Sequence, residues 1–283
     1  MKIVTKKLRS LEQILSDMKS VVVAYSGGVD SSFLAAVSHQ RLGRQSLAVT
    51  ANSPSFAPWE LEEATALATR FGFNHRIIET KENEEPGYAA NGARRCYFCK
   101  NHLYSHFHDI ATKEGYRYVV DGSTTDDLKE FRPGGEAARE WAVQSPLVDA
   151  GLNKNEIREL SHTLGLPTWD KPAQACLASR VPYGIRVTTK ILDKIAQAES
   201  YLRELGFKQL RVRHHDSVAR IELPPEELCF LLESNIRRRV TSRLKKIGYQ
   251  YVSADLDGYQ TGSLNRSLRS GTINRGIQDK SGE

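Results

Sequence analysis

The stretch Val21-Val-Val-Ala-Tyr-Ser26-Gly27-Gly28-Val29-Asp30-Ser31-Ser32-Phe33-Leu34 constrains this chain more than any other. Three β-branched residues and an alanine read as a buried parallel strand. Ser26-Gly27-Gly28 reads as a tight turn, because glycine admits positive φ and close backbone approach. Asp30 and Ser31 then open an apolar helix. Strand, glycine turn and helix N-terminus in that order bring free amide N–H groups and the positive end of a helix dipole to one point, an anion cradle whose usual guest is phosphate. No Gly-Lys-Ser/Thr follows the glycines, which excludes a Walker loop, and the absence of Gly-x-Gly-x-x-Gly excludes the dinucleotide fingerprint.

The pattern around this stretch repeats strand and helix. Ser46–Asn52 and His75–Glu79 read as strands, with a helix from Pro58 between them that carries proline and acids in its first turn. A helix bearing Cys96 to about Lys113 leads to a strand over Tyr116–Asp121, and Gly122 closes it at a sheet edge where ligands collect. This alternation predicts an α/β fold, a doubly wound parallel sheet with right-handed crossovers. Residues 81–95, polar and carrying Pro86, Gly87 and Gly92, read as a mobile loop. After a junction at 170–184 the pattern changes. Helices near Thr188–Leu205 and Asn235–Ile247 alternate with strands at 209–214, 218–223 and 250–255, a smaller α+β domain with a hairpin turn at Asp216-Ser217. The expected boundaries are 1–184, 185–268 and a disordered tail at 269–283.

Composition narrows the class. With 283 residues and 40% hydrophobic content the chain can bury a sizeable core. No apolar run approaches a membrane span and the N-terminus lacks an apolar signal core, so cytoplasm is the expected compartment. A net charge of +6 suits a polyanionic substrate without selecting one. Arg237-Arg-Arg239 cannot share one helical face and reads as solvated surface.

Four cysteines, Cys96, Cys99, Cys176 and Cys229, are not expected to form structural disulfides in a reducing compartment. Cys96 and Cys99 lie at i and i+3, so their thiols share a helix face. Such a pair can be redox-active, half a zinc site, part of an iron–sulfur site, or simply buried. His102 and His106 extend that helix, but one continuous helix does not readily wrap four tetrahedral ligands. Cys176 sits among small residues beside Arg180, where a cation favours thiolate. Cys229, next to Phe230-Leu-Leu, reads as core. Arg211 and Arg213 alternate along a strand and face one way, an arrangement that suits a substrate phosphate.

Ser-Gly-Gly-x-Asp-Ser at 26–31 resembles the PP-loop of the ATP pyrophosphatase superfamily, enzymes that cut ATP between its α and β phosphates, adenylylate a substrate and let a nucleophile displace AMP. The resemblance implies that ATP lies against Ser26, Gly27, Gly28, Val29, Ser31, Ser32 and Gly122, and that Asp30 takes Mg²⁺. With Arg95-Cys-Tyr-Phe-Cys-Lys100, Asp121-Gly-Ser, Arg132-Pro-Gly, Cys176-Leu-Ala-Ser-Arg-Val-Pro-Tyr-Gly184 and the Arg211/Arg213 segment in order, roughly residues 8–268 resemble the LarE family of sulfurtransferases. That resemblance implies adenylylation of a carboxylate of pyridinium-3,5-biscarboxylic acid mononucleotide and its conversion to a thiocarboxylate for a nickel-pincer cofactor, in a homo-oligomer.

Two sulfur strategies are known in the family: one sacrificial cysteine, or three cysteines holding a 4Fe-4S cluster with one iron open for sulfide. Cys96, Cys99 and Cys176 match the three-cysteine type. The resemblance further implies Cys176, Asp30 and Ser31 as catalytic residues and Ser179, Arg180, Arg211 and Arg213 as substrate-binding. It implies Glu199 and Glu222 as metal ligands near the sulfur site, although the acidic residue that the single-cysteine form adds there is missing near Cys229-Phe230. The competing readings are a PP-loop tRNA thiolase, which would need a broad basic face and stacking aromatics, an ATP-dependent amidating ligase, and a nucleotide or iron–sulfur sensor without turnover.

Overall fold

The computed structural model describes residues 2–129 and 133–260. The expected tail at 269–283, and Arg132 of the Arg132-Pro-Gly motif, lie outside the described residues.

The chain divides into two compact units, one of residues 1–88 with 94–174, the other of residues 89–93 with the chain from 175 onward. In the first unit, α1 (Lys2–Met18), β1 (Val21–Ala24), α2 (Val29–Leu42), β2 (Ser46–Asn52), α3 (Pro58–Phe71) and β3 (His75–Glu79) follow in order. Then come α4 (Pro86–Ala89), α5 (Arg95–Glu114), β4 (Tyr118–Val120), α6 (Pro133–Glu140), α7 (Pro146–Asp149) and α8 (Lys154–Thr163). The strands form one sheet in the order β3-β2-β1-β4, with every pairing parallel. Chain order reverses between β1 and β4, the switch point at which open α/β sheets take ligands.

Alternation along each strand builds a core on both faces of that sheet. Val21, Val23, Ala48 and Val120 pack with Leu11 and Leu15 of α1, Phe33 and Leu34 of α2, Leu67 of α3 and Ile157 of α8. Val22, Leu47, Val49 and Val119 pack on the other side with Tyr104 and Phe107 of α5 and Ala137 of α6. This is the doubly wound sheet expected from the sequence. Local signals set the helix ends. Pro58 opens α3 and Gly72, at φ 68°, closes it. Asn153 and Glu156 form a reciprocal capping box on α8.

The second unit contains α9 (Thr189–Glu204), the antiparallel pair β5 (Arg211–His215) and β6 (Val218–Glu222), α10 (Leu228–Leu232), α11 (Ser234–Ile247) and β7 (Tyr251–Ala254), which pairs parallel with β6. Asp216, at φ 54°, turns the hairpin. Ala198 and Leu202, Val212 and Ile221, and Val240 and Leu244 fill a separate core.

Two expectations change. The division falls at 174/175 rather than 184/185, because the 176–185 segment is tied to α9, to β5 and to Asn91. The 81–95 stretch is not an open loop. Tyr88, Ala89 and Asn91 are buried, and the Asn91 amide donates to the carbonyls of Pro182 and Ile185 at 2.8 and 2.9 Å. Polarity alone does not distinguish a solvated loop from one whose amide caps a neighbouring segment.

Candidate active site

The glycine turn after β1 meets the first turn of α2 at the switch point. Gly27 has φ +70°, and a Cβ there would stand 2.7 Å from the Ala64 Cβ, so the turn accepts only glycine. Gly28 precedes α2 in extended conformation and no side chain caps the helix. The start of such a helix, with its N–H groups and positive dipole end, is a favourable place for an anion. The Ser26 N–H donates to Ser31 Oγ at 3.2 Å, the two hydroxyls lie 3.0 Å apart, and Ser31 Oγ donates to the Gly28 carbonyl at 3.3 Å. Ser26 is exposed and Asp30 half-buried at the mouth of this turn.

The end of β4 completes the cradle. A Cβ on Gly122 would stand 3.0 Å from the Ser31 backbone nitrogen, so glycine is what lets this edge approach α2. Asp121 is buried and accepts from Tyr104 Oη at 3.2 Å, from Ser145 Oγ at 2.8 Å, and from both the N–H and the hydroxyl of Ser123. Burial and the Asp121 charge push the Tyr104 phenol well above its usual range, which keeps it a proton donor. Across the sheet edge the hydroxyls of Ser53, Ser55 and Thr80 converge on buried Glu82, joining the segments that follow β2 and β3.

No signal in the sequence marks Lys171, yet its Nζ donates to the Gly27 carbonyl at 3.1 Å and lies 2.8 Å from Glu63 Oε2. Arg158 of α8 holds the segment in place by donating to the carbonyls of Trp169 and Lys171. A cation 144 residues downstream of the turn carries no local motif. Only the fold brings it to the glycines.

Buried arginines organise the second unit. The Arg180 Nε and Nη2 bond Glu199, each at 2.9 Å, and its Nη1 donates to the Ala175 and Cys176 carbonyls and to Ser179 Oγ. Glu199 also accepts from the Val212 N–H at 2.8 Å. The Arg213 Nε and Nη2 bond Glu222, each at 2.9 Å, and its Nη1 donates to the Ser179 carbonyl at 2.7 Å. Arg211 is 7% exposed, with its guanidinium 4.7 Å from the centre of the Tyr259 ring, and among the described residues no carboxylate forms an ion pair with it. Burial lowers its pKa, and the charges of Arg213 and Arg180 lower it further against a partial offset by Tyr259 and Glu222. An anion at Arg211 would relieve that field.

The N-terminal part of the chain, residues 3–90, matches the NAD synthase family. An uncharacterised protein of Synechocystis is 45% identical over 93% of this chain and 98% of its own length. The pyridinium-3,5-bisthiocarboxylic acid mononucleotide synthase of Lactiplantibacillus plantarum is 37% identical over 93% of this chain and 95% of its own length. The chain belongs to the LarE family. It is therefore a PP-loop enzyme of the ATP-dependent sulfurtransferase class. The glutamine-hydrolysing GMP synthase of Ligilactobacillus salivarius is 26% identical over 70% of this chain and 41% of its own length, a likeness to the wider superfamily.

Set against the LarE expectations, the structure gathers Ser26, Gly27, Gly28, Asp30, Ser31 and Gly122 at one edge of the sheet. Ser32 is fully buried, and its hydroxyl has no hydrogen-bond partner among the described residues. Glu199 and Glu222, expected as metal ligands, are paired with arginines: Glu199 with Arg180 and the Val212 amide, Glu222 with Arg213 and Arg220. Arg180 and Arg213, expected to bind substrate, spend their donors on those carboxylates and on backbone carbonyls. Arg211 differs from them in having no carboxylate partner among the described residues. Cys229 is exposed rather than core. Arg237, Arg238 and Arg239 are exposed on α11.

Two implied groups can be tested against these residues. A Mg²⁺ ion held with ATP fits, since Asp30 supplies a hard oxygen beside an uncapped helix start. The cysteines expected for an iron–sulfur cluster fall in different units, Cys96 and Cys99 in the first and Cys176 in the second. Cys96 is exposed and Cys99 and Cys176 are half-buried. Among the described residues no group of three or more His, Cys, Asp or Glu side chains is gathered to hold a metal. No described helix is long and apolar enough to cross a membrane.

Proposed function

We propose that this enzyme uses ATP to activate a carboxylate of pyridinium-3,5-biscarboxylic acid mononucleotide and converts it to a thiocarboxylate, a step toward a nickel-pincer cofactor. The observation that carries this is the 37% identity, spread over nearly the whole of both chains, to the Lactiplantibacillus plantarum synthase. The α2 amides with Gly27, Gly28 and Val29 hold the departing pyrophosphate, and Ser26 and Ser31 add hydroxyl donors. Lys171 places a positive charge beside the same turn. Bound Mg²⁺ neutralises phosphate charge, and Asp30 is its proposed ligand. Gly122 leaves room for the nucleotide against α2. Arg211, a buried cation without a carboxylate partner among the described residues, takes the substrate phosphate. Arg180, Arg213 and Ser179 hold that surface in shape.

Sulfur supply is the finer part of the proposal. Cys96, Cys99 and Cys176 are proposed, in the three-cysteine manner of the family, as the ligands of a 4Fe-4S cluster whose open iron would carry the transferable sulfide. Thiolate chemistry supports this: three cysteine thiolates would hold such a cluster and leave one iron open for sulfide. The test is anaerobic turnover with ATP, mononucleotide and sulfide. The expected products are AMP, pyrophosphate and a thiocarboxylate. ADP and orthophosphate as the primary products, or an amide formed from ammonia, would refute the assignment. Loss of one H₂S from Cys176, with Cys96→Ala fully active, would show the sacrificial route instead.

A further inference from the structure

α5 carries a second metal-binding prospect that none of these roles uses. His102 and His106 stand one helical turn apart on the same face. Both are half-buried and open to solvent. Their Nε2 atoms lie 3.3 Å apart, with ring centres at 4.8 Å and planes at 75°. Two imidazole nitrogens each ~2.0–2.1 Å from one tetrahedral ion would stand about 3.3 Å from each other. The pair is thus already at the spacing that such an ion imposes.

A carboxylate lies on the other side of the His102 ring. The Nδ1 of His102 is 3.5 Å from Glu85 Oε1. A proton kept on Nδ1 by that carboxylate leaves the Nε2 lone pair free to bind. Carboxylate, histidine and metal in this order are the usual support of a histidine ligand. All three residues belong to the first unit.

We propose that His102 and His106 form an exchangeable site for a borderline divalent cation of the Zn²⁺, Ni²⁺ and Cu²⁺ class, with Glu85 as the positioning residue. Imidazole selects these ions over Mg²⁺, which requires oxygen ligands. Among the described residues no third His, Cys, Asp or Glu completes the set, so water fills the remaining positions. The ion takes the place of the proton between the two Nε2 atoms; that proton moves through water to the Nδ1 of His106, and both imidazoles stay neutral as ligands. The bound ion fastens the Glu82–Glu85 segment to α5.

The test is calorimetric titration of the full-length, metal-free, reduced protein with Zn²⁺ and Ni²⁺, and with Mg²⁺ as control. Cys96 and Cys99 share the helix, so Cys96→Ser/Cys99→Ser protein is titrated in parallel. The expected result is one site in both proteins, weakened at least tenfold by His102→Gln or His106→Gln and less by Glu85→Gln. A readout on the unsubstituted chain guards against a variant that fails to fold: Zn²⁺ should protect both histidines, and not His108, from diethyl pyrocarbonate as read by peptide mass. Binding that survives both His→Gln changes, that disappears with the Cys→Ser pair, or that leaves both imidazoles unprotected would overturn the proposal. The absence of any Zn²⁺ heat would do the same. None of these readouts depends on sulfur transfer, so the site stands or falls apart from the enzyme assignment.

Discussion

Lys171 and the buried arginines make opposite predictions. Lys171→Ala removes a charge-assisted bond to the glycine turn and a cation beside the phosphates, a loss of typically ~1.5–3 kcal/mol. ATP affinity measured by calorimetry should fall at least tenfold while the circular dichroism spectrum is unchanged. Arg180→Ala should act on stability. Glu199 is fully buried, and without Arg180 its charge keeps only the Val212 amide. Breaking such a buried pair costs about 3–5 kcal/mol, a loss that denaturant titration will show. Arg211→Ala leaves no ion pair broken among the described residues. It should weaken binding of the phosphorylated substrate while costing much less stability than Arg180→Ala. Equal destabilisation by the two would remove Arg211 from the phosphate role.

Among the elements, the glycine turn and α8 are the most readily tested. Gly27→Ala must accommodate a Cβ 2.7 Å from Ala64 at positive φ. The expected result is loss of ATP binding together with a lowered melting temperature, since either the turn or α3 must move. Helix α8 is joined to α1 by Lys7, whose Nζ lies 2.7 Å from Glu156 Oε1. Burial raises the Glu156 pKa, but the Lys7 hydrogen bond and the Asn153 amide outweigh it, and the net shift is downward from 4.5. A carboxylate depressed in the folded state contributes stability that is present above its unfolded pKa and lost as the pH falls through the folded one. Acid unfolding of Glu156→Gln should therefore show a shallower loss of stability below about pH 4.5 than the parent chain, with a lower stability at pH 7.

At the scale of the whole molecule, two separate cores predict two calorimetric transitions. Val23→Ala should lower one and Ile221→Ala the other, each by the ~0.5–3 kcal/mol typical of destabilising substitutions. ATP should raise the transition that Val23→Ala lowers. A single transition moved by both substitutions would show that the cores unfold together.

Local chemistry already determined much of this protein. Val21–Ala24 could only be a buried strand, Gly27-Gly28 only a turn, and the Pro58, Gly72 and Asn153 signals set helix ends that the structure keeps. Those features act within a few residues, where propensity and sterics decide. What the tertiary structure decided was pairing. Arg180, Arg211 and Arg213 are equivalent cations in the sequence, yet two are paired with Glu199 and Glu222 and the third has no carboxylate partner among the described residues. Asn91 and Ser53 read as loop polarity until folding supplied the carbonyls and the Glu82 carboxylate that they bond. Lys171 reached the glycine turn across 144 residues. The worth of a buried charge or amide depends on its partner, and partners distant in sequence are chosen only when the chain closes on itself.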